Sequence, residues 1–205
     1  YNQQPLTQVA DVVLHSSTKY LGGHSDLIGG SLIIKDDQKL ADKVHYLQNA
    51  AGAIQSPFDC YLLIRSIKTL SVRMDRHNYN GVEIAKYLDQ HPKINKVMYP
   101  GLETDPNYTI AKKQMNGFGG ILSIDIKTDF DGIKRFLNNL SFFTLAESLG
   151  GVESLIEHPA IMTHASIDKS IREELGITDG LLRLSVGIED KDDLIDSLDI
   201  ALQAI

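Results

Sequence analysis

Cysteine is almost absent from this 205-residue sequence: Cys60 stands alone. A single thiol excludes an intramolecular disulfide framework and fits a reducing compartment, so the expected location is cytoplasmic. Metal-ligand spacing is missing too. His158 and His164 lie six apart with no third ligand nearby. Basic charge is in deficit, with 20 Lys and Arg against 27 Asp and Glu and a formal net charge of −7. No basic stripe is present to neutralise phosphates, which argues against a nucleic-acid partner and suits a soluble protein with small-molecule ligands. The chain has no apolar run of membrane-spanning length, no signal-peptide pattern, no internal repeat and no low-complexity block. It lacks an initiator methionine and opens on the loop-like "YNQQP", so it reads as part of a longer chain.

What is there suffices for a core, since 42% of residues are hydrophobic. "DVVLHSS" reads as a short buried strand, β-branched and too short for a helix. "SLIIKDD" (31–37) reads as a second strand ending in a turn. Residues 38–49 carry Leu40, Val44 and Leu47 at helical spacing. "QSPFDC" (55–60) is a helix start, with Ser56 to cap, Pro57 at the first helical position and Asp59 to complement the dipole. The helical pattern runs on toward "HP" at 91–92, with a break or bend expected near Asn80-Gly81.

Beyond it, strands and helices alternate. They are strand 95–100, helix "DPNYTIAKKQM", strand 119–126, helix "DGIKRFLNNL", strand "FFTLAES", a long loop 149–180, strand 181–188 and a last helix. Acidic Glu189, Asp190, Asp192 and Asp193 open that helix, and Leu194, Leu198 and Leu202 line one face. The pattern is that of an α/β or α+β protein. A soft boundary near residue 70 separates 1–70 from 71–205. Tyr99, Phe118, Phe142 and Phe143 are expected in the core, and Cys60 in a buried helix as a small hydrophobe.

The stretch "HSSTKYLGGHS" (15–25) carries the chemistry. Burial at the end of a hydrophobic strand disfavours an ammonium and frees the neutral amine, here of Lys19, as a nucleophile able to form a Schiff base with an aldehyde cofactor. Ser16 and Thr18, two apart, face the same way on an extended segment and offer hydroxyls to a phosphate. Gly22 and Gly23 allow a tight turn and close approach to a ligand. On spacing alone, a strand-to-turn junction with an exposed lysine is the favoured reading.

The longer pattern reverses that preference. "DVVLHSSTKYLGGHS" resembles the cofactor-lysine signature of the Cys/Met-metabolism pyridoxal-phosphate enzymes in Asp11, the Ser16-x-Thr18-Lys19 core, Tyr20 and the Gly-His-Ser at 23–25. The segment "GAIQSPFDCYLLIRSIKTLSVRM" resembles the helix linking that family's two domains. "VMYPGL", "LAESLGGVES", "PAIMTHAS" and "LLRLSVGIEDKDDL" resemble its C-terminal domain, in order, so the likeness covers essentially the whole chain.

The resemblance implies a fold-type-I transferase: the end of the large cofactor-binding domain plus the α+β small domain, the C-terminal half of the family's chain. It implies pyridoxal 5'-phosphate held by Lys19, with Ser16 and Thr18 on the phosphate, and no assigned role for Ser17. It implies Arg183 on the substrate α-carboxylate, a pairing that suits a planar guanidinium, and Ser148 as a second contact there. Glu147 is expected to separate family members, since a carboxylate suits a substrate whose far end carries an ammonium, as cystathionine does. "QN" at 48–49, where methionine γ-lyases resemble "KD", weighs against methionine.

The implied activity is cleavage of cystathionine at its γ-carbon to cysteine, 2-oxobutanoate and ammonia. Homocysteine is a second expected substrate, releasing hydrogen sulfide. Cystathionine γ-synthase and β-lyase chemistry are the alternatives, and a non-catalytic scaffold fragment is the alternative of another class. Family members imply a homotetramer built of dimers. His15 and His24 are expected to pack or hydrogen-bond rather than to catalyse.

Overall fold

The computed structural model describes residues 1–205, in two β-sheets with helices around them. The chain opens with the short helix α1 (Pro5–Gln8), strand β1 (Val12–Ser16), a five-residue π turn (Ser17–Leu21) and strand β2 (Gly30–Ile34). β1 and β2 pair antiparallel, with Leu14 opposite Leu32. The expected burial of β1 is not found: Val12 and Leu14 are exposed, Leu14 by 74%. Two strands alone cannot cover their own faces.

Helix α2 (Gln38–Ala51) is capped by Asp37, which accepts from the Leu40 N–H, and ends at Gly52 in the left-handed region. Helix α3 (Pro57–Ile67) starts as the sequence suggests, with the Ser56 hydroxyl accepting from the Asp59 N–H and Pro57 in the first turn. Helix α4 (Leu70–Asp89) follows after a break at Lys68–Thr69.

That break corrects the expectation of one near Asn80-Gly81. The Thr69 hydroxyl donates to Ser66 O, a local bond that competes with the helical ladder. Gly81 instead serves packing. A Cβ there would stand 2.5 Å from Gly119 O, so the absent side chain lets α4 lie flat against the Gly119–Gly120 backbone. Cys60 is half-buried on α3.

The rest of the chain builds one five-stranded sheet from β3 (Ile94–Met98), β4 (Ile121–Ile126), β5 (Thr144–Leu145), β6 (Leu155–Glu157) and β7 (Leu181–Ser185) in the order β3-β4-β7-β6-β5. All neighbours are antiparallel except β5 and β6. Helices α5 (Tyr108–Gln114), α6 (Phe130–Asn138), α7 (Lys169–Glu174) and α8 (Lys191–Gln203) complete it. Period-two alternation fixes the faces. Leu122, Ile124 and Ile126 of β4, with Leu182 and Leu184 of β7, point into the core with Ile84 and Leu88 of α4, Phe136 of α6 and Leu194 and Leu198 of α8.

The opposite face takes the odd positions, Ser123 of β4 and Arg183 of β7, which pair directly. The stretch expected as one long loop, 149–180, holds β6 and α7, and "FFTLAES" keeps only two strand residues. Phe143 and Tyr99 are buried, whereas Phe142 is exposed by 43%. No helix is long and apolar enough to cross a membrane.

Candidate active site

The extended run ends at Ser16, and the chain then folds into the π turn that carries Lys19. The turn is closed by Gly22 N–H donating to Ser17 O at 2.9 Å and Gly23 N–H donating to Lys19 O at 2.7 Å. A Cβ on Gly22 would stand 2.6 Å from Ser17 O, the acceptor of its own bond, which explains one of the paired glycines. Lys19 itself has a non-helical backbone (φ −89, ψ −136) inside this turn. Because the strand stops at Ser16, the two-residue alternation that would align Ser16 with Thr18 does not apply. Thr18 Oγ1 accepts from Gly29 N–H at 3.0 Å, while the exposed Ser16 hydroxyl makes no protein hydrogen bond. Ser17 is fully buried and its Oγ accepts from Gln55 Nε2 at 3.4 Å.

Two buried groups far away in sequence fix the turn from behind. Arg73 of α4 is only 4% exposed and donates to Tyr20 O, Leu21 O and Ser66 O. It ties the lysine turn to the break between α3 and α4. The Tyr20 phenol accepts from Gly120 N–H at 3.2 Å and meets the fully buried His77 edge-on at 4.9 Å between ring centres. Burial raises the Tyr20 pKa above the phenol's ordinary value. His77 Nδ1–H donates to Val186 O, and burial lowers this imidazole's pKa. Neither Arg73 nor His77 carries a motif signal, and sequence reasoning missed both. His24 Nδ1–H donates to Gly22 O, a structural contact as expected.

The sequence-predicted residues come together around Ser148. Lys19 Nζ donates to Ser148 Oγ at 3.3 Å, its only hydrogen bond. Arg183 Nη2 donates to Ser148 O at 3.2 Å and to Glu147 O at 2.7 Å. Ser148 therefore holds an amine on its side chain and a guanidinium on its carbonyl. Glu147 is exposed and its carboxylate has no ion-pair partner, so only its backbone joins the cluster.

The loop stays in place because Gly150 N–H donates to Ser185 Oγ at 2.8 Å and Val152 N–H donates to Gly23 O at 2.8 Å. Gly150 has φ +77, and a Cβ there would lie 3.1 Å from Tyr20 N and 3.3 Å from Lys19 Cβ. Only glycine combines that conformation with that contact. Beside Lys19 opens a cavity of about 600 Å³ lined in part by His15, Ser16, Tyr20, Met74 and Phe118. One residue with no counterpart in the sequence reading, Glu157, lies 2.5 Å from Arg183.

A family description, "Cys/Met metabolism PLP-dependent enzyme", matches residues 1–203. The chain belongs to this family. It is 55% identical to a cystathionine beta-lyase of Coxiella burnetii over 98% of its own length and 52% of that protein's. A cystathionine gamma-lyase of Lactobacillus plantarum complexed with L-serine superposes with a TM-score of 0.92 at 47% identity, over 100% of this chain and 53% of that one. A cystathionine gamma synthase of Xanthomonas oryzae pv. oryzae in complex with aminoacrylate and cysteine gives 0.93 at 45% identity, over 99% and 52%. The chain thus spans about half the length of the relatives it matches, and carries about half of a type I PLP-dependent fold.

The residues present suit the family's cofactor. Lys19 offers an amine without an acidic partner beside the free Ser16 hydroxyl, and both line the cavity, whereas Thr18, Ser148 and Arg183 lie outside its lining. Thr18 is the partial exception, because its hydroxyl is engaged by Gly29.

Proposed function

We propose that this chain forms part of a cystathionine γ-lyase, a PLP-dependent carbon–sulfur lyase that converts cystathionine and water to cysteine, 2-oxobutanoate and ammonia. The carrying observation is the convergence of Lys19 and Arg183 on Ser148. An α-amino acid presents an amine-bearing carbon and a carboxylate one bond apart. An amine and a guanidinium that both hydrogen-bond one residue suit such a substrate.

Lys19 would hold the cofactor's aldehyde carbon, and Ser16 and Thr18 would take its phosphate, Thr18 after turning from Gly29. When bound, pyridoxal phosphate supplies the electron sink for the pair left at the substrate α-carbon. Arg183 binds the α-carboxylate and so orients the α-hydrogen toward Lys19. Lys19 Nζ, freed once the substrate amine takes its place, would take a proton from carbon as base and return one as acid. Ser148 Oγ keeps the amine aimed during that exchange. The Glu147 carboxylate, exposed and without an ion-pair partner, suits the distal ammonium of cystathionine. Homocysteine, which ends in a thiol, would enter without that contact and release hydrogen sulfide.

The β-lyase and γ-synthase relatives keep two alternatives in view. We assign the protein to the cytoplasm and to a homotetramer built of dimers, as the family implies. We divide the chain near residue 70, beside the helix break at Lys68–Thr69. Product identification on the PLP-loaded enzyme tests the proposal. Mass-spectrometric detection of 2-oxobutanoate with cysteine supports γ-cleavage. Pyruvate with homocysteine would assign β-cleavage and remove the role given to Glu147. Absence of any keto acid would leave γ-synthase chemistry or a non-catalytic scaffold.

A further inference from the structure

We propose that Glu157 is a positioning residue that fixes the orientation of the Arg183 guanidinium. The proposal rests on the reading of Arg183 as the group that binds the substrate α-carboxylate. In the β6–β7 ladder Glu157 stands directly opposite Arg183, so both side chains leave the same face of the sheet. Glu157 is 1% exposed. A carboxylate buried to that degree needs an opposite charge close by. Oε1 accepts from the Thr163 hydroxyl at 2.5 Å, and Oε2 lies 2.5 Å from Arg183 Nη2.

The donors of Arg183 show what that contact does. A guanidinium has five N–H groups. The two on Nη2 go to Glu147 O and Ser148 O, and Oε2 of Glu157 meets the same nitrogen off those directions, as a charge contact without a hydrogen bond of its own. Three acceptors converge on one nitrogen. The N–H groups on Nε and Nη1 make no bond to the protein.

Neutral carbonyls alone hold a mobile arginine weakly. A buried negative charge locks the Nη2 end against the sheet, so the remaining donors keep one direction for an incoming carboxylate. Glu157 touches no substrate in this scheme and acts only through Arg183.

The test compares glycine with glycinamide as ligands of the PLP-loaded enzyme, followed by the shift of the cofactor absorbance band. The two share the amine and differ in the carboxylate, so the ratio of their dissociation constants reports the grip on the carboxylate alone. Damage to folding or to cofactor loading moves both ligands together and leaves the ratio unchanged. Glu157→Gln is expected to reduce the preference for glycine roughly tenfold, on the order of one charge-assisted contact, and Arg183→Gln to abolish it. In the Arg183→Gln background, Glu157→Gln adds nothing.

An unchanged ratio in Glu157→Gln beside its loss in Arg183→Gln would overturn the positioning role and leave the Arg183 reading intact. A raised ratio would overturn it too, by making Glu157 a competitor of the ligand. An unchanged ratio in Arg183→Gln would sink the carboxylate reading itself. If Glu157→Gln does not fold, Glu157→Asp, which keeps the charge but falls short of Nη2, is read by the same ratio and against the same outcomes.

Discussion

Gly150→Ala puts the contact between the 148–151 loop and the lysine turn to a quantitative test. Gly150 sits at φ +77, where an L side chain costs about 1–2 kcal/mol. Its added Cβ would stand 3.1 Å from Tyr20 N, 3.3 Å from Lys19 Cβ and 3.4 Å from the Tyr20 ring. The first two are tighter than ordinary carbon contacts, and they involve backbone or backbone-proximal atoms that cannot swing aside. Overpacking of this kind adds about 1–3 kcal/mol.

Gly176 supplies the control, because it has φ +78 with nothing within 4 Å of its Cβ position. Gly176→Ala therefore measures the conformational cost alone. Denaturant midpoints of the two variants, converted through a common m value, should show Gly150→Ala less stable by at least about 1 kcal/mol more than Gly176→Ala. The displaced loop also carries Ser148 away from Lys19, so kcat/KM should fall in Gly150→Ala and stay near wild type in Gly176→Ala. Equal destabilisation of the two variants would refute the packing of this loop on the lysine turn.

Two further predictions concern the frame around the site. Gly81→Ala should destabilise the protein by about 1–2 kcal/mol, although helix propensity alone favours alanine by about 1 kcal/mol, because its methyl would meet Gly119 O at 2.5 Å; a higher melting temperature would contradict the packing argument. Acid should destabilise the fold through His77 and His158, both fully buried, each giving its one N–H to a carbonyl and each with its pKa lowered chiefly by desolvation. The unfolded imidazoles protonate near 6.5 while the folded ones stay neutral, so this stability is complete above about pH 6.5 and is lost as pH falls toward the folded pKa values, by up to ~1.4 kcal/mol per pH unit for each. Denaturant midpoints that do not change from about pH 6.5 to about pH 5.5 would refute it.

Much of the frame was legible because its signals are local. Ser56-Pro57 and the acidic opening of α8 report their own helix starts, and "ILSIDI" shows its buried face by alternation alone. The failures share a cause in distance. β6 is three residues inside an irregular stretch, recognisable only by what it pairs with. The helix break depends on one hydroxyl, and the Asn80-Gly81 pair that looked like a hinge is a packing contact with the Gly119 backbone.

The site divides the same way. Lys19 lies in a contiguous motif. The Ser148 and Arg183 assignments came from resemblance, and the structure adds that they meet. Arg73 reaches Tyr20 O across 53 residues, and Glu157 faces Arg183 only through the β6–β7 register, so neither left a mark in the sequence pattern.

The central claim is that Lys19 is the amine that carries the cofactor. Borohydride reduction of the PLP-loaded enzyme, followed by digestion and mass spectrometry, locates the carrier lysine directly. The pyridoxyl mass is expected on the peptide containing Lys19, and it should disappear in Lys19→Ala. A pyridoxyl group on a different lysine, with the Lys19 peptide unmodified, would contradict it.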